Sequence, residues 1–254
     1  NIDFSKIEEA ISPNTKAIIP VHLTGRPSPM DEIKVIAQKY NLHILEDCAQ
    51  AIGAKYKGNK VGSLGDGAAF SLHPLKNLGV MGDGGVFTTN NEELYQTVKK
   101  LRNHGLKNRD ECEIWGFNSR LDSLQAELAS IKLNHLDTWN LRFREIAEFY
   151  RSNLNDLVIT PIDKPYEEPV YHNFVIRVDK RDKLMDSLLS SGIETKIHYP
   201  IPIHLQECAR NLGYNTGDFP LTELFASQMI SLPIYPELTD AEVEYVVEAT
   251  RSYF

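Results

Sequence analysis

Cysteine is scarce in this sequence of 254 residues. Cys48, Cys112 and Cys208 form neither a CxxC nor a CxxH pair, so a zinc site and a disulfide framework are both disfavoured. A few isolated cysteines are typical of proteins that work in a reducing compartment. We therefore expect a cytoplasmic protein that holds no structural metal.

The chain also lacks a block of positive charge and a long apolar run. Its formal net charge is −8 at pH 7, which argues against nucleic acid or an anionic membrane surface as the main partner. No apolar stretch approaches the roughly 20 residues that cross a bilayer, and the first residues show no signal-peptide pattern. A hydrophobic fraction of 42% is ordinary for a soluble globular protein. We expect neither nucleic acid nor a membrane among its partners.

The nucleotide-binding motifs that glycine-rich loops provide are missing as well. The stretch Gly82-Asp83-Gly84-Gly85 contains neither the GxGxxG pattern of dinucleotide-binding folds nor the GK[ST] end of a P-loop. Glycines placed this closely permit backbone conformations with positive φ angles. We interpret the stretch as a tight backbone turn.

What the first half of the sequence does contain is an alternation of strand and helix patterns. Residues 16–23 (KAIIPVHL) and 42–45 (LHIL) are short apolar runs typical of buried strands. Between them, residues 30–40 repeat apolar side chains at helical spacing, and Ser28-Pro29-Met30-Asp31 predicts a capping box at the start of that helix. Two strands joined through a helix form a βαβ unit, which predicts a parallel sheet.

The second half of the chain has a different pattern. Apolar residues recur at helical spacing from 121 to 154, and a break near His135–Asp137 predicts two long helices. Beyond them, β-prone and helical stretches alternate, and the last helix begins with a capping box. We predict an α/β fold with a mostly parallel sheet flanked by helices, followed by a smaller α+β domain. The predicted domains are residues 1–150 and 151–254.

A single lysine stands between two β-prone runs of the first domain. Residues 68–72 and 86–89 have strand patterns, and Lys76 lies in the glycine-rich turn that joins them. An amine held against the backbone in this way is suited to act as a Schiff-base nucleophile. A solvated surface lysine is the more common outcome for this residue type. From this stretch alone, the surface position is favoured.

A carboxylate at a neighbouring strand end changes that balance. Asp47 follows the apolar run 42–45, and ligands of open α/β sheets bind at the carboxyl ends of the strands. An amine such as Lys76 and a carboxylate at one sheet edge are the pair that a pyridoxal phosphate enzyme needs. The lysine binds the cofactor, and the acid keeps the pyridinium nitrogen protonated. Asp47 fits equally well as a cap of the turn that follows it.

Two further polar residues lie close to this pair in the sequence. Gln50 follows Asp47 by three residues and can reach a ring substituent such as the phenolic oxygen, whereas a solvated turn glutamine is the alternative. Ser71 precedes Lys76 by five residues and can bind the cofactor phosphate through its hydroxyl. A strand serine more often forms its hydrogen bonds with the backbone.

These residues belong to a series of short motifs that follow one another along the chain. The motifs are Glu46-Asp47-Cys48-Ala49-Gln50, Phe70-Ser71-Leu72, Lys76-Asn77-Leu78-Gly79, Gly82-Asp83-Gly84-Gly85, Gly116-Phe117-Asn118-Ser119-Arg120-Leu121, Ile197-His198-Tyr199-Pro200, His204 and Ser231-Leu232-Pro233-Ile234-Tyr235-Pro236. The ordered set resembles the DegT/DnrJ/EryC1/StrS family of sugar aminotransferases, a branch of the fold-type I pyridoxal phosphate enzymes. The resemblance extends from near residue 2 to near residue 250.

The resemblance implies a role for each matching residue. Lys76 matches the Schiff-base lysine, Asp47 the partner of the pyridinium nitrogen and Gln50 the residue that contacts the ring hydroxyl. Ser71 matches a ligand of the cofactor phosphate. Asn118 matches an asparagine that reaches the phosphate of the neighbouring subunit's cofactor, which implies a homodimer with shared active sites.

The resemblance also implies a substrate class. His198, Tyr199 and His204 fall where family members shape the site for a sugar nucleotide, although lone histidines are more often structural. The implied reaction is amination of a nucleotide-linked keto-sugar, with glutamate as the amino donor. The runs 76–79 and 82–85 favour the branch that acts on 3-keto-6-deoxyhexoses, which makes amino sugars for surface polysaccharides or glycosylated natural products.

Two alternatives stay open at this point. Sugar dehydratases share the fold, but those relatives carry a histidine where this chain has Lys76. A catalytically inert binding or scaffold protein is the second alternative. It arises because family members have a segment ahead of the position of Asn1, which supplies a strand, a turn for the phosphate and an aromatic that stacks on the ring. We expect this sequence to be a piece of such a protein.

Overall fold

The computed structural model describes all 254 residues, and the chain forms two compact units. Unit 1 comprises residues 1–141 and 163–172, and unit 2 comprises residues 142–162 and 173–254. These limits differ from the two domains expected above, and the domain boundary at residue 150 stays a prediction. None of the helices combines the length and the apolarity that crossing a bilayer requires.

Unit 1 consists of a four-stranded sheet, a smaller three-stranded sheet and several helices. Its longest helix, α5, begins in unit 1 and ends in unit 2. In chain order the elements are α1 (Ile7–Ala10), β1 (Ala17–Ile18), α2 (Met30–Tyr40), β2 (His43–Asp47), β3 (Lys55–Tyr56), β4 (Asn59–Lys60), β5 (Gly67–Ser71), β6 (Gly85–Thr88), α3 (Glu92–Leu101), α4 (Ser123–Leu133), α5 (Leu136–Leu154) and β7 (Glu167–Glu168).

The four-stranded sheet has the strand order β1-β2-β5-β6. β2 runs parallel to β1 and to β5, whereas β6 returns antiparallel to β5. Asp47 lies opposite Ala69 in this register, so the carboxyl ends of β2 and β5 lie at the same edge. This confirms the α/β prediction with a mostly parallel sheet. The second sheet explains why residues 163–172 belong to unit 1, because β7 pairs with β3.

Helix α2 covers one face of this sheet because its apolar residues recur at helical spacing. Met30 and Ile33 are completely buried, and they belong to one cluster with Ile18 of β1 and Ile44 of β2. Full burial of a side chain of this size contributes about 2 kcal/mol relative to exposure. The helix therefore anchors the two strands that lead to Asp47.

Two local predictions in this region are wrong. Ala17 and Ile18 are the part of the run 16–23 that forms a strand. Pro20 has no N–H to donate and interrupts it, and Val21 pairs again with Asp47 as an isolated bridge. Ser28 does not cap α2, whose cap residue is Pro29. The Ser28 hydroxyl donates to the carbonyl of Val21 instead. The predicted break between two long helices is confirmed by the end of α4 at Leu133 and the start of α5 at Leu136.

Unit 2 has the α+β composition that the sequence predicts. Its further elements are β8 (Phe174–Arg177), α6 (Arg181–Ser190), α7 (Pro220–Gln228), β9 (Met229–Leu232) and α8 (Asp240–Ser252). β8 and β9 form an antiparallel pair. Thr239 and Glu242 form the predicted capping box of α8, whose inner face buries Val243, Val246 and Val247.

Candidate active site

Lys76 lies on a tight turn between β5 and β6. The Lys76 N–H donates to the carbonyl of His73 at 2.9 Å, and the Val80 N–H donates to the carbonyl of Leu72 at 2.9 Å. A side chain at Gly79 would not fit, because its Cβ would lie 2.3 Å from the carbonyl oxygen of Pro74. The glycine therefore permits the chain to fold back directly behind the lysine.

Polar side chains clamp this turn on the C-terminal side of Lys76. The buried Asn77 side chain donates to Asn140 Oδ1 at 3.0 Å and to the carbonyl of Val170 at 2.9 Å. The Lys132 ammonium donates to the carbonyl of Gly79 at 2.7 Å. No role for these residues is expected from the sequence. Their positions 53 to 93 residues apart leave no local pattern that would have identified them.

The Lys76 side chain itself is half-buried. No hydrogen bond or salt bridge involves its Nζ atom, and burial lowers the pKa of the amine while the charge of Asp47 partly opposes that shift. A lysine acts as a nucleophile only when it is neutral, and desolvation is one way to make it so. The half-buried position differs from that of a fully solvated surface lysine, and the nucleophilic role of Lys76 stays a prediction.

Asp47 stands at the end of β2, on the sheet edge that Lys76 follows. Its Oδ1 atom accepts the N–H of Ala49 at 3.0 Å, so it does cap the following turn. It also acts on the charge of Lys76. The capping role of this carboxylate is therefore observed, and its contact with the ring nitrogen of a cofactor stays a prediction.

Gln50 and Ser71 lie near this pair and already take part in structural hydrogen bonds. Gln50 is buried, and its Oε1 atom accepts the N–H of Thr24 at 2.6 Å. Thr24 has a φ angle of 58°, a left-handed conformation that is uncommon outside glycine. The Ser71 hydroxyl accepts the N–H of His73 at 3.2 Å. Their contacts with a cofactor stay predictions.

Asn118 lies outside this group, on an exposed loop. Its Oδ1 atom accepts the Nε–H of Arg120 at 3.1 Å. It lines a groove of about 600 Å³ together with residues of β5, β6 and α3, among them Phe70, Gly85 and Val98. A position apart from Lys76 is compatible with the expected reach into a second subunit, which stays a prediction.

The residues expected to shape the substrate site belong to unit 2. The Nδ1 atom of His198 lies 2.8 Å from the hydroxyl oxygen of Ser231, and Tyr199 is exposed, with a φ angle of 60°. His204 is buried, and its Nε2 atom lies 3.0 Å from Glu223 Oε1. The substrate roles of the three residues stay predictions.

A half-buried amine and a carboxylate thus meet at the carboxyl ends of neighbouring parallel strands. The amine can bind an aldehyde covalently, and the carboxylate can hold the proton of a ring nitrogen. Ser71 is the last residue of β5, and Gln50 lies on the turn that follows β2. These residues fit pyridoxal phosphate, and their individual contacts with it stay predictions.

The comparison with family models makes the assignment specific. Residues 1–251 match the model of the DegT/DnrJ/EryC1/StrS aminotransferase family. Because this match extends over nearly the whole sequence, the chain belongs to that family. It is therefore related throughout its length to aminotransferases that use pyridoxal phosphate, and the expected class of enzyme and its cofactor are confirmed.

Individual relatives support the same assignment. The chain is 48% identical, over its entire length and 69% of the relative, to a dTDP-3-amino-3,6-dideoxy-alpha-D-galactopyranose transaminase from Aneurinibacillus thermoaerophilus. It is similar, with a TM-score of 0.97 and 42% identity, to Streptomyces venezuelae DesV solved in complex with a ketimine intermediate; the match covers 99% of this chain and 68% of DesV. NtdA from Bacillus subtilis, solved with bound pyridoxamine phosphate, matches with a TM-score of 0.90 and 34% identity, over 99% of this chain and 59% of NtdA.

Proposed function

We propose that the protein transfers an amino group to a keto-sugar linked to a nucleoside diphosphate, with Lys76 as its catalytic residue and glutamate as amino donor. The observation that carries the proposal is the pairing of the desolvated Lys76 amine with Asp47 at one sheet edge. Relatives named as transaminases of dTDP-linked and UDP-linked sugars support the substrate class.

Lys76 has two tasks in such a reaction. Its Nζ atom would hold the cofactor covalently. As a free amine, Lys76 would move a proton at the reacting carbon of the substrate, as a general base and acid. A lowered pKa suits both tasks, because the amine must be neutral to attack and to accept the proton.

Asp47 and the polar residues around it orient the reaction. Pyridoxal phosphate supplies an electron sink and carries the amino group. The Asp47 carboxylate holds the proton on the ring nitrogen, which keeps that sink effective. We assign the ring oxygen to Gln50 and the phosphate to Ser71.

The sugar position is proposed from the motifs around the lysine. Lys76-Asn77-Leu78-Gly79 and Gly82-Asp83-Gly84-Gly85 favour a 3-keto-6-deoxyhexose. The Aneurinibacillus relative is named for a sugar with a 3-amino and a 6-deoxy position, which supports this choice. His198, Tyr199 and His204 are proposed to contribute to the site for this substrate.

A homodimer with shared sites is part of the proposal. Trp115 is 95% exposed and Phe117 69% exposed, and both lie on the loop that carries Asn118. Two neighbouring aromatics of this size are rarely left in water unless a partner covers them. We propose that a second copy covers them, which brings Asn118 to the phosphate of the cofactor in that copy.

Neither alternative from the sequence gains an observation in its favour. A dehydratase on this fold carries histidine at the position of Lys76. An inert scaffold has no use for a half-buried amine beside a carboxylate at the carboxyl ends of two parallel strands. Transamination is the function that the site supports best.

Covalent capture of the cofactor tests the proposal. The purified protein is mixed with pyridoxal phosphate and reduced with borohydride, and the modified residue is located by mass spectrometry. We expect the label on Lys76, and we expect Lys76→Ala to lose both the label and turnover of nucleotide-linked keto-sugars with glutamate. Lys34→Ala, on the exposed side of α2, is the matched control. An active Lys76→Ala protein would overturn the assignment.

A further inference from the structure

Two adjacent residues of β2 carry carboxylates with opposite surroundings. Side chains alternate between the two faces of a strand, so Glu46 and Asp47 point in opposite directions. The charge of Asp47 acts on the amine of Lys76 and raises its pKa against the effect of burial. Glu46 is completely buried and takes no part in the chemistry described above. A buried carboxylate needs hydrogen bonds to offset its lost hydration.

Glu46 obtains those hydrogen bonds from a loop and a histidine. Its Oε1 atom accepts the N–H groups of Leu64 and Gly65, both at 2.7 Å. Its Oε2 atom accepts the N–H of Gly62 at 2.8 Å and lies 3.0 Å from His22 Nε2. Four donors match the four lone-pair sites of an ionised carboxylate. Burial alone would raise the pKa of Glu46, but the hydrogen bonds from His22 and the loop outweigh burial and hold the pKa below its usual range.

The tautomer of His22 follows from its second contact. The Ser28 N–H donates to His22 Nδ1 at 2.9 Å, so this nitrogen offers a lone pair. The proton of the neutral ring is then on Nε2, which donates it to Glu46. This contact also explains why Ser28 does not cap α2, since its backbone is held by the histidine ring.

The backbone of His22 forms a hydrogen bond with Asp47, the residue that follows Glu46 in β2. The His22 N–H donates to the carbonyl of Asp47 at 3.0 Å, and the Asp47 N–H donates to the carbonyl of Pro20 at 3.0 Å. His22 therefore binds Glu46 through its side chain and Asp47 through its main chain. The strand end that carries Asp47 is tied at two points to one residue.

A metal ion is the competing explanation of this cluster. One donor atom each of His22, Glu46 and Cys48 lies within 4.8 Å of the others. Both ring nitrogens of His22 and both oxygens of Glu46 are engaged in the hydrogen bonds above, and burial strongly raises the pKa of the Cys48 thiol, which keeps it protonated. A metal needs the thiolate and a free ring nitrogen. The cluster is a hydrogen-bonded network.

We propose that His22 and Glu46 are positioning residues for Asp47, which set the place of its carboxylate at the ring nitrogen of the cofactor. The inference rests on the proposed function, because it concerns the carboxylate assigned there to that nitrogen. Glu46 binds the backbone of loop 62–65 and so fixes the end of β2 to that loop. His22 fixes the backbone of Asp47 and is held in turn by Ser28.

The protonation of the ring nitrogen provides a direct readout. The purified protein is loaded with pyridoxal phosphate labelled with 15N in the ring, and the nitrogen shift is followed against pH, with Asp47→Asn as the reference for a lost partner. In Glu46→Gln and His22→Leu we expect the nitrogen to lose its proton at lower pH than in the wild type. We also expect the dissociation constant of the cofactor to rise about tenfold, by analogy with the loss of an outer partner of a metal ligand.

Two variants separate positioning from a general loss of stability. His22→Gln keeps a donor at the place of Nε2, so it should restore most of the wild-type nitrogen shift. Asp66→Asn weakens another tie of the same loop to β2, since Asp66 Oδ2 accepts the N–H of Ile44 at 2.8 Å. Asp66→Asn should lower the melting temperature and leave the nitrogen shift unchanged. If Glu46→Gln does not fold, the comparison of His22→Leu with His22→Gln decides.

The possible results are distinct. Wild-type shifts in folded Glu46→Gln and His22→Leu would overturn the inference, and so would an equal change in Asp66→Asn. A wild-type protein without a protonated ring nitrogen would overturn the proposed function and the inference with it. We expect the nitrogen shifts of Glu46→Gln and His22→Leu to move towards that of Asp47→Asn. The shift of Asp66→Asn should stay at the wild-type value.

Discussion

Two histidine–glutamate pairs hold loops in this chain, one in each unit. In unit 1, His22 Nε2 lies 3.0 Å from Glu46, and in unit 2, His204 Nε2 lies 3.0 Å from Glu223. Both carboxylates also accept backbone N–H groups, from the loop 62–65 in the first pair and from Gly217 in the second. The two pairs therefore share the same kind of contact and the same distance between Nε2 and the carboxylate oxygen.

The surroundings of the two pairs differ. The side chains of His22 and Glu46 are 0% exposed, whereas His204 and Glu223 are 5% and 18% exposed. For Glu46 the largest influence on the pKa is burial, which hydrogen bonds must overcome. For Glu223 the largest influence is the hydrogen bond from Gly217, which lowers the pKa. The comparison shows that an interior pair must be fully bonded, whereas water can replace a lost bond at the surface.

Removal of the carboxylate charge should give the largest difference between the pairs. Glu46→Gln turns an amide group towards backbone donors that water cannot reach, so we expect it to lower the free energy of unfolding by about 3 kcal/mol. Glu223→Gln should cause a smaller loss. Urea titration of both variants measures this, and equal losses would show that burial does not govern the pairs.

The glycines of the two loops offer a second contrast. A Cβ at Gly65 would lie 2.6 Å from the carbonyl oxygen of Ile44 in β2, whereas a Cβ at Gly217 would meet nothing within 4 Å. Gly65→Ala should therefore cost about 2 kcal/mol through overpacking. Gly217→Ala should cost about 1 kcal/mol, from its positive φ angle alone. Thermal melts compare them, and the reverse order would contradict the description of loop 62–65.

Acid unfolding should also distinguish the two pairs by the pH dependence of their contribution to stability. The pKa of Glu46 is lowered in the folded protein, so its contribution to stability is present above the ordinary value of 4.5 and is lost as the pH falls through the folded value. Between pH 5 and pH 3, Glu46→Gln should consequently lose less stability than the wild type does. Glu223→Gln should change this slope less, because water solvates its carboxylate. A steeper loss in Glu46→Gln would contradict the sign of the shift.

The smallest expected effect concerns the pKa of Lys76, which the charge of Asp47 raises. Asp47 raises the pKa of Lys76 against the effect of burial. Asp47→Asn should therefore lower this pKa further, and the rate of labelling of Lys76 by an amine reagent should rise at a lower pH. Peptide mass spectrometry follows Lys76 beside the exposed Lys34, whose profile should not move. An unchanged Lys76 profile would mean that the carboxylate does not act on the amine.

Part of the site was predictable because it depends on strand ends. Asp47 closes one apolar run and Lys76 follows the next, and parallel strands bring such positions to one edge. Gln50 and Ser71 are predicted as site residues because they lie three residues after Asp47 and five residues before Lys76. Glu46 belongs to one of the motifs, but no role is expected for it from the motif. An acidic side chain on the buried face of a strand does indicate that hydrogen-bond partners must surround it.

Other features had no local signal. Pro20 interrupts a run that was predicted to be a single strand, and Ser28 was predicted to cap α2 because its spacing fits a capping box. The competing partner of Ser28 is the ring of His22, which the spacing does not show. The clamp of Asn77 with Asn140 and Val170 depends equally on residues far apart in sequence.

Sequence alone determined the α/β order, the helix faces, the family and the lysine with its carboxylate. These features depend on periodicity and on short motifs, which are local properties of the chain. The half-buried position of Lys76 and the hydrogen bonds of His22 to Glu46 and Asp47 are visible in the folded chain alone. Desolvation and buried hydrogen bonds depend on what packs around a residue, and those neighbours come from distant parts of the chain.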